Sequence, residues 1–268
     1  SFIVNGKLFW GIDRMHFVEQ ELGNRLASLP RLLLQAQADV QPGQVVRFTF
    51  DFSSPWAYLA STQIERVVAE SGAARVLLAW NPILLGALFR DVGTPNMPML
   101  ALSEAKRAYS GQDLQDWCSF YGNVPLRFPD TFPLRTVLPL RLTLFYMHHS
   151  IETERGEVAK LIHTLFAATW QHNVDIGKPE PLAAFLLLSP GRLVLQAGLQ
   201  RNLDTFEALT SLLEEANSCS LAKSGLRRRT EAAVHDGCCG VPSFQINGGP
   251  VLWGQDRFHY LQDALCGW

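Results

Sequence analysis

The sequence is poor in cysteine: five in 268 residues, at Cys118, Cys219, Cys238, Cys239 and Cys266, with no CxxC pair and no paired spacing of a metal site. Local dithiol chemistry and a metal centre are therefore not expected, and a reduced, cytoplasmic setting fits. The adjacent Cys238 and Cys239 read as compact core or loop residues. Long apolar runs are also missing. The stretch Leu182 to Leu188 falls far short of the roughly 20 residues a membrane helix needs, so no membrane partner is expected. Charge of one sign is missing too: 23 basic against 25 acidic residues leave a net charge of -2 and no field for nucleic acid. The one basic run, Arg227 to Arg229, would fan out by about 100° per residue on a helix and reads as a solvated face.

What is present is a core-forming composition, 47% hydrophobic, long enough for one large domain or two small ones. A repeat exposes the organisation. Ser1 to Leu22 (SFIVNGKLFWGIDRMHFVEQEL) and Ser243 to Leu265 (SFQINGGPVLWGQDRFHYLQDAL) share Phe, Asn-Gly, Trp-Gly, Asp-Arg and a final Leu in the same order, with one residue inserted in the second copy. Each reads as strand, Asn-Gly hairpin turn, strand, then a helix begun near Asp-Arg. A ββα unit is too small to stand alone and should close a larger domain. Only the second copy has such a domain ahead of it, beginning near Val45. Residues 1–23 are thus expected to be the tail of an earlier, related domain, 24–44 a linker ending in the turn-like Gln41-Pro42-Gly43, and 45–268 a complete domain. The apolar surface of the first copy must be covered, on the helical insert, on a sheet edge or on another chain, and a homodimer through this segment is expected.

Within 45–268, Val45 to Phe52 (VVRFTFDF) is β-rich, Pro55 to Ser71 reads as a helix, and Val76 to Trp80 as a second strand. From about 84 to 216 the pattern is helical, broken by proline loops, and Leu221 to Val234 is another helix. Strand, helix, strand, helical insert, helix, strand, strand, helix is the order of a thioredoxin-like α/β fold with a large helical insertion, here preceded by an extra ββα unit. Val241-Pro242 falls where that fold places a cis-proline.

The stretch Asp51-Phe52-Ser53-Ser54-Pro55-Trp56-Ala57-Tyr58 joins the first strand to the first helix. In the DsbA branch of the fold this stretch carries Cys-Pro-x-Cys; here Ser54 and Ala57 occupy those positions, so the thiolate needed for dithiol exchange is missing. Read locally, Ser54 before Pro55 is a helix cap. Asn81 before Pro82 reads equally as a turn, Arg90 as a surface charge and Asp256 as a cap for the last helix.

Asp-Phe-x-Ser-Pro-aromatic, then Asn-Pro with Leu-Gly, Gly-Val-Pro and Trp-Gly-x-Asp-Arg, in this order over Val45 to Leu265, resembles the 2-hydroxychromene-2-carboxylate isomerase family and its kappa-class glutathione transferase relatives. The resemblance implies that Ser54 lies against the sulfur of bound glutathione as the catalytic residue. It implies glutathione contacts at Asn81, Arg90, Val241 and Pro242, with Gln255, Asp256 and Arg257 at the γ-glutamyl end. It also implies a small aromatic or conjugated carboxylate as substrate and reversible thiolate addition as the route to cis-trans isomerisation. A kappa-like transferase or peroxidase, and a non-catalytic binding module, are the alternatives. Lys106, Arg107, Tyr109, Asp113 and Trp117 follow the family's helical pattern; Arg135, Gly93-Thr94-Pro95 and the long apolar stretch Ala184 to Asn202 depart from it. Asp13 and Arg14 recur in a copy without its own serine loop, so Trp-Gly-x-Asp-Arg alone marks no working site.

Overall fold

The computed structural model describes residues 1–23, 43–71, 76–95, 97–151 and 155–267; most of the expected linker, 24–42, lies outside these. The chain opens with the strands β1 (Phe2–Val4) and β2 (Lys7–Phe9), a 3-10 turn at Ile12–Arg14 and helix α1 (Met15–Glu21). The larger unit then runs β3 (Val45–Phe50), α2 (Pro55–Ser61), α3 (Ile64–Glu70) and β4 (Leu77–Pro82). The insert comprises α4 (Leu85–Val92), α5 (Pro98–Ala101), α6 (Glu104–Phe120), α7 (Val137–His149), α8 (Arg155–Trp170), α9 (Pro179–Leu188), α10 (Pro190–Leu199) and α11 (Phe206–Ser218). Helix α12 (Ser220–His235), strands β5 (Ser243–Ile246) and β6 (Leu252–Trp253), a 3-10 turn at Gln255–Arg257 and α13 (Phe258–Leu265) complete it.

The main sheet has the order β4-β3-β5-β6, with β3 parallel to β4 and antiparallel to β5. Side chains alternate across a strand, and the register sorts them. Phe48, Trp80 and Phe244 share one face, where Phe48 stacks on Phe244 at 5.4 Å and meets Trp80 edge-on at 5.2 Å. Phe50 extends this layer to Phe166 of α8, 5.7 Å away. Thr49, Asn81 and Ser243 share the opposite face, towards α12.

Two details differ from the sequence reading. The helix expected over Pro55 to Ser71 breaks at Thr62–Gln63, where the Gln63 amide bonds the Ala60 carbonyl three residues back and the Thr62 hydroxyl donates to Leu59. Strand β4 also runs on through Asn81 and Pro82, which β4 tolerates because it is an edge strand. The apolar helices α9 and α10 meet at a bend of 95° and bury Leu182, Leu186, Val194 and Leu195 in the core. No single helix among the described residues is long and apolar enough to cross a membrane.

The aromatic layer makes a measurable claim. Phe48 is fully buried at its centre, so Phe48→Ala should lower the stability read by urea denaturation by about 3–5 kcal/mol, through lost burial and the cavity left behind.

Candidate functional site

Strand β3 ends by delivering a tight turn into α2. Asp51, wholly buried, accepts the amides of Ser53 (2.9 Å) and Leu85 (2.8 Å), which fastens the turn to the start of α4. Burial pushes the Asp51 carboxyl up, and these donors hold the shift back. Ser54 follows as the N-cap of α2: its Oγ accepts the Ala57 amide at 3.1 Å, and Pro55 takes the first helical position. The same hydroxyl donates to the carbonyl of Val241 at 3.3 Å. Val241-Pro242 is a cis peptide, as the sequence order implies, and the Pro242 carbonyl in turn accepts the amide of Gly254 at 2.9 Å. Ser54, the Val241-Pro242 loop and the Gln255–Arg257 turn are thereby joined by two hydrogen bonds, one on each side of the loop. Tyr121, the C-cap of α6, pins the turn from the other side, its hydroxyl donating to the Gln255 carbonyl at 2.9 Å.

The turn carries the least expected feature. Asp256 accepts Arg14 Nη1 at 2.9 Å, and Arg14 belongs to the N-terminal repeat. The other edge of the Arg14 fork grips Asp113 of α6 in bidentate fashion, Nε at 2.7 Å and Nη2 at 2.9 Å. The guanidinium also lies over the Trp117 ring, 5.2 Å from its centre. Burial works against this charge, but the carboxylates of Asp113 and Asp256 outweigh it and hold the guanidinium protonated above its ordinary range. A looser reciprocal pair runs from Arg257 Nη1 to Asp13 at 3.4 Å. Around this cluster α1 lays Phe17 edge-on against Trp117 at 5.1 Å, while the Tyr109 hydroxyl accepts the Trp10 amide at 2.9 Å. The first copy is therefore covered on one side by the helical insert and by its own repeat partner.

The expected site residues do not all converge. Asn81 points to the α12 side of the sheet, where it donates to Thr49 at 3.1 Å and accepts Arg229 at 2.8 Å. That contact corrects the reading of the basic run: Arg227 and Arg228 are solvated, but Arg229 turns inward and is half-buried. Arg90 is three-quarters exposed and paired with its neighbour Asp91. Arg135 is exposed as well. Of the cysteines, Cys238 is buried in the core and Cys239 is exposed just before the Gly240-Val241 segment; burial pushes the Cys118 thiol up to about 11. Arg14 was visible in the sequence only as a recurrence of Arg257, and Asp51 only as a motif letter; the parity of β3 and β4, with Phe48 and Trp80 inward, was the available signal that Asn81 faces the other way.

A thioredoxin-type core whose helix begins with serine in place of the redox cysteine defines the class. Residues 45–266 match the DSBA-like thioredoxin domain, and the chain belongs to that family. It is 26% identical over 224 residues to the 2-hydroxychromene-2-carboxylate isomerase of Pseudomonas putida, covering 82% of this chain and 94% of that protein. It is 22% identical over 228 residues to glutathione S-transferase kappa 2 of Caenorhabditis elegans, covering 83% and 92%. A solved 2-hydroxychromene-2-carboxylate isomerase superposes with a TM-score of 0.61 at 25% identity, over 82% of this chain and 94% of that one. The probable DsbA oxidoreductase of Streptomyces coelicolor, at 16% identity and a TM-score of 0.59 over 83% and 88%, shares the fold.

The buried cluster predicts a pH signature. Burial, and then the nearby Arg14 charge, lower His16 on α1 from 6.5 to about 4. The folded protein thus keeps His16 neutral where the unfolded chain would protonate it, so this stability is complete above pH 6.5 and is lost as pH falls towards 4. The loss amounts to at most ~3 kcal/mol. Urea titrations at a series of pH values should show that slope in the native chain and a flatter one in His16→Phe.

Proposed function

We propose that the chain is a glutathione-dependent isomerase of the 2-hydroxychromene-2-carboxylate type, acting on a small conjugated aromatic carboxylate. One observation carries this reading: a single serine hydroxyl at the start of α2 touches the loop before the cis-proline, one hydrogen bond away from the Gln255–Arg257 turn. The residues fit glutathione at its sulfur, its peptide backbone and its γ-glutamyl end. Ser54 Oγ would meet the sulfur, the Val241 backbone the peptide, and Asp256 with Gln255 the γ-glutamyl group. The glycyl end is less well provided, because Asn81 is bound to Thr49 and Arg229 and leaves only the exposed Arg90 on that side. Glutathione would supply a thiol that adds reversibly to the conjugated carboxylate and departs after rotation about the former double bond.

The protein's part is to hold and polarise. The Ser54 hydroxyl, released from the Val241 carbonyl, can donate to the sulfur while its lone pair still caps Ala57, and it favours the charged form over the neutral thiol. Asp256 is held in place by Arg14, so the carboxylate meets an incoming ammonium group without reorganisation. The isomerase relatives, at 26% and 25% identity, favour this reaction over the kappa-like one, which the same site would serve with another electrophile.

Calorimetry should detect glutathione binding to the native chain, weakened in Asp256→Ala. Turnover of a hydroxychromene carboxylate should require glutathione. Ser54→Ala should cut kcat/KM by roughly 10- to 100-fold, the size of a hydrogen bond to a charged group, against a capping loss of only ~0.5–2 kcal/mol in stability. Equal turnover by native and Ser54→Ala chains at equal folded fraction would reduce Ser54 to a cap. No heat with glutathione would remove the cofactor assignment.

A further inference from the structure

The exposed apolar face of the N-terminal repeat has a counterpart inside the same molecule. Aligning the two copies pairs Ile3 with Gln245, Ile12 with Gln255, Met15 with Phe258 and Leu22 with Leu265. In the second copy these positions are 3%, 4%, 2% and 0% exposed, because β5 pairs with β3 while the 3-10 turn and α13 pack on α2 and α3. In the first copy the same positions are 74%, 84%, 41% and 61% exposed. Conformation does not explain the contrast. Both turns hold Asn-Gly at positive φ (51° and 79° at Asn5 and Gly6, 49° and 72° at Asn247 and Gly248). Both 3-10 turns start from a glycine, φ 106° at Gly11 and 111° at Gly254, over which the following Asp carboxylate folds back. What differs is the covering: among the described residues β1 pairs only with β2, so the edge that β5 gives to β3 is open in β1. Two of the four positions also change from Gln to Ile, making the uncovered face more apolar than its covered twin.

We infer that this face seats the strand-helix-strand core of a second thioredoxin-type unit, carried on the N-terminal side of the repeat, with its first strand paired to the open edge of β1. A second copy of the chain cannot repeat the β5–β3 pairing here, because its β3 is already flanked by β4 and β5 and only the outer strands β4 and β6 of its sheet are open. The occupant is a core that lacks its own closing hairpin, and in the second copy that core precedes the hairpin along the chain. The charge pattern adds the geometry. Arg14 reaches Asp256 and Arg257 reaches Asp13, so the two ββα units face each other about an approximate twofold axis. A core on the first unit continues that relation into a pseudo-symmetric pair of thioredoxin units with the crossed Asp-Arg turns at its centre. This inference rests on the repeat and its packing, independently of the proposed reaction.

The test joins a second copy of segment 45–242 directly ahead of Ser1, as Pro242 precedes Ser243, and compares this chain with 1–268 by amide hydrogen exchange and light scattering. The expected result is a monomer in which the amides of Phe2 to Val4 exchange roughly 100-fold more slowly. Ile3→Lys with Ile12→Lys in the fused chain should return those amides to their rate in 1–268 and leave the rest unchanged. Exchange at β1 unaltered by the fusion, or a fused segment that stays unfolded beside a folded 1–268, overturns the inference. So does concentration-dependent protection of β1 in 1–268 alone, which would make the occupant a second copy of this chain.

Discussion

The Arg14 guanidinium, held between Asp113 and Asp256 above the Trp117 ring, is the constraint on which the site end of the molecule depends. It ties its own segment to two others lying 99 and 242 residues away along the chain. A buried ion cluster is a poor source of net stability, because desolvating the charges opposes their attraction. Its value lies in geometry: a planar fork can serve two carboxylates in fixed directions at once, which a lysine ammonium cannot. Losing the arginine would leave Asp113 and Asp256 close together without their counter-charge, so the repeat unit is bound into the larger domain by electrostatics as well as by the Phe17-Trp117 contact.

Ser54 shows the same economy on the other side of the turn. Its oxygen caps α2 and its proton reaches the Val241 carbonyl, so one side chain both starts a helix and fixes the distance between that helix and the cis-proline loop. A cysteine there would make weaker hydrogen bonds of both kinds. The serine therefore joins the helix to the loop through its hydroxyl, at a position with no thiol for dithiol exchange.

Much of the architecture was legible because it rests on local signals. Asn-Gly turns, Trp-Gly-x-Asp-Arg, the β-rich run at Val45 and Val-Pro before the last hairpin each impose a backbone shape on their own neighbourhood, and each appears in place. The reading weakened where side-chain direction decides. Asn81 sits in the expected segment, yet strand parity sends it towards α12, away from the face bearing Phe48 and Trp80. Arg229 appeared as one of three surface charges because helix periodicity alone does not say which member faces a polar layer. The break at Thr62–Gln63 was hidden because nothing there forbids helix; the hydroxyl-to-carbonyl bond of Thr62 and a tightened turn redirect the chain.

Asp256 is the group on which both copies of the repeat converge. One of its oxygens accepts Arg14, while the other lies 3.9 Å from Arg257 Nε and over Gly254, whose φ of 111° only glycine adopts readily. The carboxylate is thus fixed from three directions and largely buried. Fixing it requires both copies of the repeat, one for the glycine turn and one for the arginine. Asp13 in the first copy has the same folded-back turn and the weaker reciprocal arginine, but no serine loop stands beside it among the described residues. The motif is therefore a structural joint used twice, and what sets the second use apart is its place one hydrogen bond from the loop that Ser54 holds.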